Sequence, residues 1–320
     1  MTIQNSDQAR LLLKVADVRE IAMGIHQFEL RAPEGGELPE FSPGSHLVVD
    51  TPAGVSRRYS LCNDPAERDH YVIAVKVDEQ GRGGSLSMVQ LRPGDTLSVS
   101  EPDNAFPLSP KARRSLLIAG GIGITPILCM ARHLHANGSP FKLVYCTRDA
   151  GSTAFLDELR QADFADNVVI HHDEGNPEAA FDFWPLLETP KGAHVYCCGP
   201  RGLMEAVRDM TGHWPTGAVH FESFGVSADV ARTNTPFDVV LAKSNQRVHV
   251  DVQHSILEAV RAAGVSAPSS CESGTCGSCR TRLVAGQAEH RDMVLLDEEK
   301  EDNIMICVSR ACGDELVLDL

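Results

Sequence analysis

Cys271-Glu-Ser-Gly-Thr-Cys276-Gly-Ser-Cys279, followed further on by Ile304-Met-Ile-Cys307-Val, is the stretch whose reading decides this chain. The first three cysteines are spaced Cys-x4-Cys-x2-Cys, and the fourth comes from a distant apolar run. One tight loop that supplies three thiolates, closed by a remote fourth, is the plant-type ligand pattern of a [2Fe–2S] cluster. Gly274 and Gly277 let such a loop curl and aim backbone N–H groups at sulfur. Two other readings stand beside this one. A structural zinc more often shows two Cys-x2-Cys knuckles, and only one such pair is present here. A disulfide framework needs an oxidising compartment, and nothing in the sequence suggests export.

Outward from that loop, the chain of 320 residues favours two or three domains, each large enough for its own core. With 42% hydrophobic and 23% charged residues, the composition is that of an ordinary globular enzyme. Met1-Thr-Ile-Gln-Asn-Ser-Asp-Gln has no basic start leading into an apolar stretch, so no signal peptide is expected. No apolar run approaches the roughly 18 residues of a membrane span. The expected compartment is therefore the reducing cytoplasm, where Cys62, Cys129, Cys146, Cys197 and Cys198 need not pair. A formal charge of −15 argues against nucleic acid and against an anionic membrane surface.

Three regions differ in rhythm. Residues 1–108 carry short β-rich runs at 11–15, 25–30, 46–49, 59–61, 71–77 and 96–99, with a single helix at 85–91. Glycine and proline punctuate these runs, as in an antiparallel β-barrel. Residues 109–226 alternate buried-type runs at 115–119, 141–146, 167–171 and 194–198 with helical stretches at 126–135, 154–161 and 202–210. That alternation predicts a doubly wound parallel α/β domain. Residues 227–236 are polar and end in proline, as a linker would. Residues 237–320 open with strands at 237–241 and 249–252 and close with one at 315–320. Between them lies a helix at 255–263, begun by a Ser255/Glu258 capping box and stopped at Gly264.

Two stretches suggest phosphate binding. In Arg57-Arg-Tyr59-Ser60-Leu, alternation puts Arg57 and Tyr59 on one face, a guanidinium for a phosphate and a ring to lie along a ligand. Gly81-Arg-Gly83-Gly84-Ser85 precedes the lone helix and exposes N–H groups there. Together they suggest a flavin phosphate cradle, although singly one is an ordinary strand arginine and the other an ordinary turn. Ala119-Gly120-Gly121-Ile-Gly123-Ile-Thr125-Pro126 runs from a strand through a glycine turn into a helix, with Thr125 placed to cap it. It resembles a dinucleotide fingerprint with proline at the third glycine. Tyr196-Cys197-Cys198-Gly199-Pro200 is a second such turn, and two turns at strand carboxyl ends would face one crevice. Asp149 would bind a ribose diol, whereas Arg148 would hold the extra phosphate of NADP. NADH is preferred, and NADPH stays open.

The order of these motifs, together with Arg57-Arg-Tyr-Ser-Leu-Cys-Asn-Asp64, Gly83-Gly-Ser85, Gly120-Gly-Ile-Gly-Ile-Thr-Pro126, Cys198-Gly-Pro200, His220-Phe-Glu-Ser-Phe224 and the four cysteines, resembles the phthalate dioxygenase reductase family. That family includes vanillate demethylase and carnitine monooxygenase reductases. The resemblance covers essentially the whole chain. It implies an antiparallel flavin-binding β-barrel, a nucleotide domain and a β-grasp plant-type ferredoxin domain. It also implies FMN, NADH and a [2Fe–2S] cluster, with a terminal Rieske-type oxygenase component as electron acceptor.

Carried onto this chain, Arg57, Tyr59, Ser60, Gly83, Gly84 and Ser85 would bind FMN. Gly120, Gly121, Gly123, Thr125, Asp149, Cys198, Gly199 and Pro200 would line the nucleotide. Thr125 and Cys198 would stand near the nicotinamide, and Phe224 would cover the flavin. Cys271, Cys276, Cys279 and Cys307 would hold iron. Cys312, beside Gly313 and Asp314, reads as a turn residue, whereas Cys307 reads as part of an apolar strand and is followed by Val-Ser-Arg as in the family. A monomer is expected. The rival readings are an iron–sulfur redox sensor, an NAD(P)H reductase for an unrelated acceptor and a zinc-stabilised interaction module. The acidic run Asp297-Glu-Glu-Lys-Glu-Asp302 reads as a solvated face or as a docking surface.

Overall fold

Alternation of apolar and polar residues builds the first sheet from β1 (Arg10–Ala22), β2 (Ile25–Arg31), β3 (Ser45–Asp50), β4 (Ser56–Ser60), β5 (Tyr71–Lys76), β6 (Thr96–Ser100) and β7 (Asp103–Asn104). The computed structural model describes residues 10–81, 83–215, 217–224 and 234–320. The strands run in the order β4-β3-β6-β1-β2-β5, with β7 on β3 and the pairs antiparallel. An antiparallel bridge from Leu61, just past β4, to Ile73 of β5 joins the two ends of that order and closes a barrel. Leu13 with Val15, Phe28 with Leu30, Leu47 with Val49 and Leu97 with Val99 recur at period two and fill it. β5 is buried on both sides: Tyr71, Ile73 and Val75 join the barrel core, while Val72 and Ala74 pack into a core shared with the next sheet. For that reason its sequence is continuously apolar rather than alternating. The lone helix, α1 (Gly84–Met88), is shorter than the expected 85–91 span, and Met88 anchors it in the barrel core.

The second sheet comprises β8 (Arg114–Gly120), β9 (Phe141–Thr147), β10 (Val168–His172), β11 (Ala193–Cys198) and β12 (Val219–Glu222). Their order is β10-β9-β8-β11-β12, and β8 is parallel to both β9 and β11. Sequence order reverses between β8 and β11, which makes their carboxyl ends the switch point of a doubly wound sheet. The intervening helices are α2 (Ile124–Ala136), α3 (Leu156–Gln161), α4 (Trp184–Leu187) and α5 (Arg201–Met210). From α2, Arg132 donates to the Cys62 carbonyl beside the barrel and pairs with Glu158 of α3.

The chain divides after His220 into two compact units. The second contains β13 (Phe237–Leu241), β14 (Gln246–Val250), α6 (Ile256–Ala262), β15 (Arg280–Ala285), β16 (Ala288–Glu289), β17 (Asn303–Met305), β18 (Arg310–Ala311) and β19 (Glu315–Leu318). Its main sheet is ordered β14-β13-β19-β15-β17, with β13 and β19 parallel at the centre. Ile256, Leu257 and Val260 of α6 pack into one core with Phe237, Val239 and Leu241, which is the β-grasp arrangement. The expected capping box is present: Glu258 N donates to Ser255 Oγ at 3.1 Å and Ser255 N to Glu258 Oε2 at 2.7 Å.

Of the linker read at 227–236, residues 227–233 lie outside the described residues. Asn234 and Thr235 are held by Arg291 and Arg310, at 2.8 and 3.0 Å. β14 begins earlier than the strand expected at 249–252, because Gln246 and Arg247 pair with Leu241 and Val240. Among the described residues, no helix is long and apolar enough to cross a membrane.

Candidate functional site

In the second unit, the loop carrying Cys271, Cys276 and Cys279 meets the turn carrying Cys307. Cys307 does not lie on a strand as its apolar neighbours suggest. It follows β17 in a turn, where Val308 and Ser309 both donate N–H to the Met305 carbonyl. The turn brings Cys307 Sγ to 3.1 Å from Cys279 Sγ. The Cys271 amide donates to Cys276 Sγ at 3.4 Å, and the Ser273 amide to Cys271 Sγ at 3.4 Å. Gly274 aims its amide at the Cys307 sulfur.

Among the described residues, no three His, Cys, Asp or Glu side chains gather as ligands of one ion. The sulfurs stand instead as two pairs, which suits a binuclear core better than a single zinc. Contact with Cys276 pulls Cys271 down to about 4, and the same contact pushes Cys276 up to about 12. In the other pair, Cys307 lowers Cys279 and is itself raised. Thiols of this kind give up their protons when metal binds. A Cβ on Gly274, whose φ is +78°, would stand 2.7 Å from Val308 Cγ2, so the loop closes only around a glycine there. Cys312 is exposed between β18 and β19. No described cysteine is joined in a disulfide.

At the switch point of the parallel sheet the two glycine turns touch. A Cβ on Gly123 would lie 2.2 Å from the Cys198 carbonyl oxygen, and one on Gly120 would lie 2.6 Å from Pro200 Cδ. Gly199 closes the same contact, its absent Cβ falling 3.0 Å from Gly120 Cα. Thr125 does not cap α2. The backbone coils earlier, through a 3-10 turn at Gly121–Gly123, which puts Thr125 inside the helix with its hydroxyl donating to Ile122 O at 3.1 Å. Neither the turn nor α2 has a side-chain cap, so the first N–H groups face the switch point without a protein acceptor from such a cap. An anionic nucleotide phosphate fits that end. Asp149 follows β9, and its carboxylate is held by its own turn: Oδ1 accepts the Ser152 amide at 2.8 Å, and the Ser152 side chain and the Gly151 amide also hold its pKa low. Arg148 is exposed and lies along Gly175, its Nε 3.4 Å from the position of an absent Cβ.

On the barrel, β4 alternates as expected: Arg57 and Tyr59 are half-buried, Arg58 is exposed and Ser60 is buried. Burial pushes the Tyr59 phenol up to about 12, so the ring is neutral. Gly84 begins α1 against this face, and a Cβ there would meet Val55 Cγ2 at 3.1 Å and Arg57 Cγ at 3.4 Å. Arg57 and the glycine turn therefore form one surface, as a phosphate cradle requires. Ser85 Oγ accepts the Asp78 amide at 2.9 Å, and Gly83 adopts φ +80°. A helix of five residues adds little dipole, so a phosphate here would rest on the arginine and the turn amides. Phe224 is 50% exposed, at the edge of the described residues.

Three supporting residues were given no role in the sequence reading. Tyr145 donates to the Gly121 carbonyl at 3.0 Å and props the glycine turn. Arg310 donates to the carbonyls of His254, Thr235 and Asp251 and lies 4.9 Å over the Phe237 ring. Asp292 is buried behind the cysteine loop. Tyr145 sits in an ordinary apolar run and Asp292 in an ordinary polar stretch, so neither carried a signal, whereas Arg310 is the arginine of the Val-Ser-Arg that follows Cys307.

Two family models match the chain: a 2Fe-2S iron-sulfur cluster binding domain over residues 239–312, and an oxidoreductase NAD-binding domain over residues 117–209. The phthalate 4,5-dioxygenase oxygenase reductase subunit of Pseudomonas putida is 58% identical over 311 residues, 96% of each chain. The vanillate O-demethylase oxidoreductase of Pseudomonas sp. is 40% identical over 312 residues, 96% of this chain and 98% of that one. A solved phthalate dioxygenase reductase, titled a modular structure for electron transfer from pyridine nucleotides to [2Fe–2S], superposes with a TM-score of 0.79 at 55% identity. It covers 97% of this chain and 98% of its own. Relatives this similar, spanning nearly the full length of the sequence, place it: the chain belongs to the phthalate dioxygenase reductase family.

Proposed function

We propose that the chain is the NADH-dependent reductase component of a two-component Rieske-type oxygenase or demethylase, working as a cytoplasmic monomer. The observation that carries this reading is the pairing of four cysteine sulfurs in one unit of a chain whose other unit holds the touching glycine turns. When bound, nicotinamide supplies two electrons as hydride, FMN divides them, and a [2Fe–2S] centre takes them singly.

The chain's own part is to bind and orient. Gly120, Gly121, Gly123, Gly199 and Pro200 let the dinucleotide approach the backbone, and Asp149 accepts from its ribose. Thr125 and Cys198, both buried, back the nicotinamide end from within the fold. Arg57, Gly83, Gly84 and Ser85 hold the flavin phosphate, and Tyr59 and Ser60 line its body. Cys271, Cys276, Cys279 and Cys307 ligate iron. No side chain is asked to move a proton in the hydride step.

The test is turnover of NADH with cytochrome c as surrogate acceptor. Sustained cytochrome c reduction is expected, and it should disappear when the cluster is lost. A chain that binds NADH yet reduces no acceptor would be a sensor instead.

A further inference from the structure

Asp292 lies where the second unit backs onto the loop between Cys271 and Cys276. The residue is 5% exposed and its side chain fully buried. Its Oδ2 accepts the amides of Val294 at 3.0 Å and Leu295 at 2.8 Å, charge-assisted bonds of the kind a carboxylate makes to backbone N–H groups. Among the described residues its Oδ1 has no hydrogen-bond partner. His290 Nδ1, also without a hydrogen-bond partner among the described residues, stands 3.8 Å from it. Arg291 does not compensate it, because that guanidinium is committed to Glu289 and Asn234.

The turn that Asp292 pins continues to the cysteine loop. The Met293 amide donates to the Gly274 carbonyl at 2.9 Å, and the Gly274 amide is the one aimed at the Cys307 sulfur. The absent Cβ of Gly274 would fall 3.2 Å from Asp292 Cα, so the two backbones are in contact. A buried carboxylate left half-satisfied is costly, and this structure keeps it at the back of the cluster loop.

We infer that Asp292, with His290 against it, is the positioning residue that sets the reduction potential of the cluster. It acts in two ways. Through Met293 and Gly274 it holds an N–H on a ligand sulfur, and it places a desolvated negative charge beside a centre that must accept an electron. The charge disfavours reduction, and low local dielectric strengthens that effect. The inference rests on the cluster reading proposed above.

Asparagine at this position keeps an oxygen for the two amides and removes the charge. In a potentiometric titration of the full chain, the cluster is followed by electron paramagnetic resonance and the flavin absorbance serves as internal reference. Asp292→Asn is expected to raise the cluster potential by about 59 mV or more, a tenfold shift of the one-electron equilibrium. His290→Ala should move it the opposite way, because the carboxylate loses the imidazole dipole that stands 3.8 Å from it. A loaded Asp292→Asn protein with the wild-type cluster potential overturns the inference. Where that variant fails to retain iron, His290→Ala decides: a negative shift supports the inference and an unchanged potential overturns it. A wild-type chain without iron or acid-labile sulfide would overturn the cluster reading itself, a separate failure visible before any variant is made.

Discussion

Cys307 and Cys312 lie close in sequence, but only Cys307 is turned inward, with its sulfur 3.1 Å from that of Cys279. Cys307→Ser should therefore abolish the cluster bands and the iron content while NADH still reduces the flavin. Cys312→Ser, at an exposed bend, should leave both intact. Visible absorption with iron analysis reads the pair, and a normal cluster in the Cys307 variant would remove that residue from the ligand set. Arg57 makes the same kind of single-residue claim. A charge-assisted bond contributes about 1.5–3 kcal/mol, so Arg57→Ala should weaken flavin retention roughly 10- to 100-fold. Flavin content after dialysis measures this, and an unchanged content would contradict the phosphate role.

Elements add what single residues cannot. The β8–α2 turn and the end of β11 share one contact, in which Gly123 has room for a hydrogen only against the Cys198 carbonyl. Gly123→Ala must separate backbone from backbone, at a cost of about 1–3 kcal/mol or more. A lower Tm and a raised KM for NADH are expected, with flavin content preserved.

At the outer edge of the same sheet, His220 of β12 stacks on Tyr196 of β11 with centroids 4.6 Å apart and rings 6° from parallel. Burial, aided by His194, pushes His220 down to about 4. An unfolded histidine titrates near 6.5, so above that pH neither state takes the proton and stability is unaffected. As pH falls from about 6.5 to about 4, the unfolded chain is protonated first and stability declines. His220→Gln should reduce the Tm loss between pH 7 and pH 5, a difference that thermal melts at the two pH values would reveal.

For the whole molecule, two units with separate cores predict more than one calorimetric transition. Removing iron should lower the transition of the second unit and leave the first in place, because a bound metal stabilises only the unit that folds around it. A single transition that shifts as one would show the units to be energetically coupled.

Strand and helix periods and ligand spacing are local properties, so the antiparallel, parallel and mixed sheets, their order along the chain and the cysteine spacing were all legible in the residues alone. Even the capping box at Ser255 was legible, since it needs only neighbours in sequence. Tertiary structure alone decided that the first sheet closes through Leu61 and Ile73, that Thr125 is drawn inside its helix, and that Cys307 is delivered by a turn. The Asp292 carboxylate belongs to the same class, a polar residue unexceptional in sequence that packing places behind the cysteine loop. Each depends on contact between segments distant in sequence, where burial and close packing override local preference.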